Sequence, residues 1–301
     1  MHTLVLLYMG DETVTASAGT ERVLTNMANA FVERGYRTIV VTNDPPTAKP
    51  YFPFLPQVEL IFLDVWHVKM PVVVKIKREI NRVIPIMDRP VESYRAHLSV
   101  VKLRERLSDC QIDCIIAYNH EAIQVADLWQ KGRVPLIAMM HNSIRVIMGD
   151  SNHATLKEKE KANLIQVLMP SYVQEAKQYI HNTPIIYIPN TVTPIPAERR
   201  ANLGKKKENY TITTVGRIDG LQKQTHILIH SFAKIVTRYP RWKIEIWGEI
   251  KKKSYYNELC NYIHEHGLDQ NVFFCGTTRE IQKKFLKRIF LHFLQHLKAS
   301  L

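Results

Sequence analysis

Two groups of residues in this sequence are of types and spacings that could do chemistry. The first is Val215–Gly216–Arg217, followed by Asp219 and Lys223. Arginine can fork two phosphate oxygens and lysine supplies a compact charge, so this pair beside a helix N-terminus would clamp a diphosphate. The plain alternative is two solvated charges on a loop. The second group is His120–Glu121, after the aliphatic run Ile112–Tyr118, with His141–Asn142, after Val134–Met140. Both histidines stand at the carboxyl ends of expected strands, where binding groups of open α/β sheets gather. A lone loop histidine is more often an ordinary surface residue. A third, weaker signal is Ala18–Gly19–Thr20–Glu21–Arg22. Glycine there would let backbone N–H groups approach a phosphate or a sugar, although Thr20 acting as a helix N-cap explains the same residues.

Other chemistries lack their residues. No GxGxxG or Walker A pattern occurs, since Gly204–Lys205 has neither the preceding glycine nor the following hydroxyl residue. No HExxH helix or carboxylate cluster has metal-ligand spacing, and His292 with His296 has no third partner. Cys110, Cys114, Cys260 and Cys275 form no CxxC pair and read as reduced thiols packed like small apolar residues.

The elements that must hold these residues follow from hydrophobic patterning. Thr3–Met9, Tyr36–Thr42, Val58–Asp64, Ile112–Tyr118, Val134–Met140, Ile165–Met169 and Ile185–Ile188 read as buried strands. Helical periodicity lies between several of them, as in Thr20–Arg34, where Val23, Met27 and Phe31 form one stripe and Gly35 ends the helix. Such alternation predicts a parallel sheet covered on both faces. Pro194, Pro196, Gly204 and Lys205–Lys207 interrupt the pattern and read as a linker. Strand Tyr210–Val215, a helix from about Gln222, strand Trp242–Trp247, a helix over Ser254–Glu265 and strand Asn271–Phe274 follow. The expected fold is α/β, with two Rossmann-like domains facing a cleft: 1–190, a linker over 191–209, and 210–301.

Hydrophobic residues make up 46% and charged residues 23% of the 301, too apolar for a disordered chain. Thr3–Met9 has no basic region ahead of it and is followed by Asp11 and Glu12, so it fails as a signal peptide. No run approaches the ~20 apolar residues that cross a bilayer. A cytoplasmic chain is expected. Its formal charge of +13 favours anionic partners. Between Val65 and Leu107 ten Lys/Arg residues (Lys69, Lys75, Lys77, Arg78, Arg82, Arg89, Arg95, Lys102, Arg104 and Arg106) stand against Glu79, Asp88, Glu92 and Glu105, interleaved with Val72–Val74, Ile76, Ile80, Val83 and Ile84. This mixture suits an anionic membrane surface better than a nucleic-acid groove, which would want exposed aromatics; a solvated helical face fits as well.

Taken together, these residues resemble the GT-B-fold glycosyltransferases of the group-1, or family-4, class. The resemblance is carried by Gly19–Thr20–Glu21–Arg22–Val23 with Asn26, Ala28 and Asn29, by Arg34–Gly35, and by Ile188–Pro189–Asn190. It continues through Val215–Gly216–Arg217 with Lys223, Phe232–Ala233, Trp247–Gly248 and Val272–Phe273–Phe274–Cys275–Gly276. It implies transfer of a sugar from a nucleotide-diphosphate donor to an acceptor hydroxyl, usually with retention, and with no cofactor or bound metal. Arg217 and Lys223 would hold the donor diphosphate, and Gly19 would let its loop approach donor or acceptor. His120, or failing it His141, would stand near the reacting sugar, with Gly276, Thr277 and Thr278 near the base. Many relatives act on lipid-linked or membrane-bound acceptors in making cell-surface glycans, which agrees with the basic-aliphatic stretch and a place at the inner membrane face. Nucleic acid is not an expected partner.

The sequence departs from that pattern at Gln224 and Ile250, where glycines are usual, and these side chains are expected to tighten or block the diphosphate pocket. It also lacks the family's Pro-Ser turn and E-x7-E element, running from Ile289 to Leu301 instead. The second domain is therefore expected to be incomplete, with three strands. An amphipathic helix bearing Ile281, Phe285, Ile289, Phe293 and Leu297 would partly cap it. This ending predicts a truncated or frameshifted transferase, or a remnant that at most binds nucleotide sugar or a partner.

Overall fold

The computed structural model describes residues 1–10, 13–84, 89–144, 158–191, 196, 208–220, 223–278 and 290–292. The chain divides into two compact units, Met1–Thr191 and Val192–Leu301. Most of the linker expected over 191–209 lies outside the described residues.

In the first unit, seven strands form one parallel sheet in the order β3-β2-β1-β4-β5-β6-β7. They are β1 (Thr3–Tyr8), β2 (Arg37–Thr42), β3 (Glu59–Phe62), β4 (Cys114–Ala117), β5 (Leu136–Met140), β6 (Leu164–Val167) and β7 (Ile185–Tyr187). Alternation along β1 sends Val5 and Leu7 to one face and Leu6 to the other, all fully buried. On the first face they meet α3 (Pro90–Arg106) and α4 (His120–Gln130) through Val100, Leu103, Ile123 and Ala126. On the second, α1 (Gly19–Glu33) contributes Leu24 and Ala28. Burying apolar surface stabilises by about 25 cal/mol per Å², and cover on both faces is why these strands read as continuous aliphatic runs. α2 (Val72–Val83) packs beside α3, and α5 (Pro170–Lys177) leads into β7.

The second unit is a four-stranded parallel sheet ordered β10-β9-β8-β11. Its strands are β8 (Tyr210–Val215), β9 (Trp242–Trp247), β10 (Val272–Phe274) and β11 (Phe290–His292), with helices α6 (Thr225–Ala233) and α7 (Lys253–Glu265). Ile244, Ile246 and Val272 from the sheet pack with Leu228, Ile229 and Phe232 of α6 and with Leu259 and Ile263 of α7.

Three expectations need correction. The second sheet has a fourth strand, because Phe290–His292 runs parallel to β8 with Phe290 opposite Ile212. That strand cuts through the proposed terminal helix: apolar residues at helical spacing serve equally in a short strand. Ile281, Phe285, Ile289, Phe293 and Leu297 themselves lie outside the described residues. The helix expected from Gln222 begins at Thr225.

Candidate functional site

In each unit the strand order reverses at the first strand, which opens a crevice beyond its carboxyl end. In the first unit that point lies between β1 and β4. Gly10 turns the chain after β1 with φ +147°. Asp44, just past β2, accepts hydrogen bonds from Thr13 Oγ1 and, at 3.2 Å, from the Val14 N–H, pinning the β1–α1 loop. Asn119 follows β4. Its Oδ1 accepts from the Ala122 N–H at 3.0 Å, capping α4, while its Nδ2 donates to the Met9 carbonyl. One side chain thus starts a helix and binds it to the β1 loop.

His120 is consequently the first residue of α4. Its Nδ1 lies 2.8 Å from Glu158 Oε2, with the side chains 20% and 28% exposed. A carboxylate this near favours the charged imidazolium, but the two atoms make no hydrogen bond. Burial prevails, reinforced by Arg89, Lys159 and Lys161, and lowers the His120 pKa to about 4. His141, just past β5, stacks on the buried Tyr118 ring with centroids 5.6 Å apart. Burial, then Lys159, lowers its pKa to about 4 as well. The Lys159 ammonium is itself pushed down to about 8 by burial, with Glu158 opposing. Two neutral imidazoles, each able to donate at one nitrogen and accept at the other, therefore share the field of one buried lysine.

Gly19 is exposed at the start of α1, and a Cβ built on it meets nothing within 4 Å. Thr20 is not the N-cap: the helix starts one residue earlier, Ala18 is extended in the cap position, and no side chain caps it. Glu21 instead turns inward and accepts from the Tyr8 hydroxyl at 3.0 Å. Burial and that carboxylate push the Tyr8 phenol upward.

In the second unit the corresponding point lies between β8 and β11. Gly216, Gly248 and Gly276 follow β8, β9 and β10 in turn, and their backbones interlock. Gly248, with φ +158°, sits so close to Gly216 that a Cβ would come within 1.9 Å of the Gly216 carbonyl oxygen. The Gly216 N–H donates to Trp247 O at 2.9 Å and the Gly248 N–H to Gly276 O at 2.8 Å. Lys223 lays its aliphatic stem along Gly216, where a Cβ would stand 2.9 Å from its Cγ. Arg217 is 47% exposed, with Nε 3.9 Å from Asp219 Oδ2. The structure thus gathers Arg217 and Lys223 around Gly216, with exposed Gly276 and Thr277 past the end of β10, two strands away. Gln224 holds the conformation a glycine would take, with φ +37°. Ile250 is 44% exposed and pairs with Ile218 beside β8.

Sequence reasoning missed Asn119, whose signal was present as an amide residue directly before a helix. It also missed Glu158 and Lys159, which nothing local marks because they reach the histidines through tertiary folding.

The Glycosyltransferase Family 4 sequence model matches residues 17–194, and the model for glycosyl transferases group 1 matches 196–295. The chain belongs to Glycosyltransferase Family 4, with the group 1 module following. Solved structures share its architecture at low identity. Anabaena HepE, in complex with UDP and glucose, is 16% identical with a TM-score of 0.62, over 96% of this chain and 73% of that one. A mutant S. aureus TarM, in complex with Fondaparinux, alpha-GlcNAc-glycerol and UDP, is 11% identical with a TM-score of 0.71, over 97% and 80%. The lipopolysaccharide outer core galactosyltransferase WaaB is 14% identical with a TM-score of 0.62, over 97% and 74%. The fold is therefore the GT-B fold of glycosyltransferases. No protein of curated function matches the sequence.

Proposed function

We propose that this glycosyltransferase moves a sugar from a nucleoside-diphosphate donor to a hydroxyl of a lipid-linked or glycan acceptor, with retention and without a metal ion. The observation that carries this reading is the placement of Arg217 and Lys223 about Gly216 at the switch strand of the second unit. Glycosidic cleavage leaves negative charge on the departing diphosphate, and two cations held there would stabilise it as it develops, the task a metal ion performs elsewhere. The glycines deny side chains to the wall, so backbone N–H groups can approach phosphate oxygens. Gly276 and Thr277 are assigned to the nucleotide base. In the first unit, neutral His120, with His141 as the second candidate, would contact hydroxyls of the reacting sugar, and open space over Gly19 admits donor or acceptor. UDP stands as the first nucleotide to try, because HepE and TarM bind it. Synthesis of a cell-surface glycan at the cytoplasmic face of a membrane is the setting proposed.

Calorimetric titration of the purified chain with UDP, GDP and ADP tests the clamp. Arg217→Ala combined with Lys223→Ala should weaken the best ligand at least ~tenfold, since charge-assisted contacts contribute about 1.5–3 kcal/mol each. Undiminished affinity would refute it. Turnover of the matching labelled nucleotide sugar, with and without chelator, separates a transferase from a module that only binds and tests independence from metal.

A further inference from the structure

Lys223 lies three residues after Gly220 and three before His226, and both of those residues rest on one side chain, Tyr255 of α7. On the amino side, Gly220 packs against the ring: a Cβ there would stand 3.0 Å from Tyr255 Cδ2 and Cγ. Gly220 also has φ +75°, so its space and its backbone both exclude a side chain. On the carboxyl side, the His226 N–H in the first turn of α6 donates to Tyr255 Oη at 2.9 Å. With that bond accepted, the hydroxyl's own proton is free for His226 Nδ1, 2.8 Å away. Burial pushes the Tyr255 phenol upward, so that proton stays on the oxygen.

Helix α6 draws its cap from outside its own segment. Gln224, in the cap position, stands in the left-handed region and makes no side-chain cap bond, so the acceptor for the first turn comes from α7 instead. Tyr255 is itself firmly placed. It is 8% exposed, and the turn that starts α7 is tied to the residues following β8. The N–H groups of Lys251 and Lys252 donate to Ile218 O at 3.2 and 3.3 Å, and the Ile218 N–H donates to Glu249 O at 2.9 Å. Lysine carries large rotamer freedom, and ordering it only when a ligand arrives costs affinity. Backbone fixed on both sides of Lys223 removes part of that cost beforehand and keeps the stem on its track along Gly216.

We infer that Tyr255 is a positioning residue of the diphosphate clamp: it holds Gly220 and His226 on either side of Lys223 and acts on the phosphates only through that lysine. The inference rests on the donor-binding reading proposed above.

The test is calorimetric titration with UDP of the full chain, of Tyr255→Phe, of Lys223→Ala and of the two combined. Phenylalanine keeps the ring against Gly220 and deletes only the hydroxyl, so Tyr255→Phe should weaken UDP about three- to tenfold. With Lys223 already replaced by alanine, the same change should weaken it less than about twofold, because the two residues act as one unit. Gly220→Ala, which displaces the ring from the other side, should match Tyr255→Phe. Cooperative urea unfolding should show that each variant is folded. A loss of equal size with and without Lys223 would overturn the inference, leaving Tyr255 a residue of the fold alone. If Lys223→Ala weakens UDP and Tyr255→Phe does not, the clamp survives and the inference fails. If the parent binds no UDP, or Lys223→Ala binds it as tightly as the parent, the clamp reading falls and the inference with it.

Discussion

Gly248→Ala is the sharpest test of the glycine cradle in the second unit. The new Cβ would stand 1.9 Å from the Gly216 carbonyl oxygen and 2.7 Å from its carbonyl carbon. Ordinary contact begins near 3.4 Å, so the loops after β8 and β9 must separate by more than an ångström. Backbone cannot swing aside like a flexible side chain. The hydrogen bonds Gly216 N–H to Trp247 O (2.9 Å), Gly248 N–H to Gly276 O (2.8 Å) and Ile218 N–H to Glu249 O (2.9 Å) all cross this seam. Loss of two, at about 1 kcal/mol each, adds to about 1–3 kcal/mol for alanine at a φ that favours glycine. The expected destabilisation is about 3–5 kcal/mol. Urea unfolding monitored by the fluorescence of Trp242 and Trp247, which lie on β9, reads it directly. Affinity for the nucleoside diphosphate should fall with it, because Gly216 carries Arg217 and backs Lys223. Gly19→Ala is the control: with open space above it and no positive φ, it should shift stability by less than about 0.5 kcal/mol. A Gly248→Ala chain that unfolds within that margin and keeps nucleotide affinity would refute the reasoning.

Three further outcomes follow from the geometry. Gln224→Gly should raise stability by about 0.5–1 kcal/mol, visible as a higher melting temperature, because φ +37° strains any side-chain-bearing residue. Asn119→Ala should cost about 1–2 kcal/mol in urea unfolding of the first unit, through loss of the α4 cap and the tie to Met9. Stability should fall on acidification from about pH 6.5 to 4 as the two histidines titrate. Both have pKa values lowered to about 4 in the folded chain, so in this window the unfolded chain binds more protons. His141→Phe should keep the stacking on Tyr118 and flatten that loss by about 2–3 kcal/mol, allowing for residual solvation. An unchanged slope between pH 6.5 and 4 would count against the buried, neutral assignment.

Most strands of the first unit were legible because that sheet is buried on two faces, and parallel strands then read as aliphatic runs such as Thr3–Met9. β8 is mostly half-buried and is marked by its β-branched residues instead. Strand β11 was not legible. Three residues inside a longer apolar stretch carry no period, and only pairing with β8 defines them. Arg217 and Lys223 stood out as a charge pair beside a helix start, whereas Gly248 and Gly276 were singled out only by the resemblance to the family. The order in which Gly216, Gly248 and Gly276 interlock was invisible, since it depends on register between strands. Lys159 shows the limit most clearly: it reads as one more surface cation in a basic chain, yet it is 4% exposed. The outward face of α2, where Val72, Val73 and Ile76 are 69%, 61% and 53% exposed, was suggested by the cations among its aliphatic residues and not by their spacing. Periodicity reports that a stripe exists and is silent on which way it points.

The winding of the two sheets has a consequence for how the chain is made. In each, the first strand synthesised ends in the interior, with the second and third strands on one flank and the fourth on the other. On emerging from the ribosome, β1 can pair with β2 after one helix, but its other edge must wait for β4. The hydrogen bond from Thr3 N–H to Asp113, at the threshold of that strand, spans 110 positions. Until then an aliphatic edge with unpaired N–H and C=O groups stands open, a template for pairing with another nascent chain. β8 repeats the delay, its second flank closed only by Phe290–His292. Each unit therefore passes through a vulnerable interval during translation, longer for the first than for the second, and yield on expression should be governed by how slowly those flanks are filled rather than by the stability of the finished sheets.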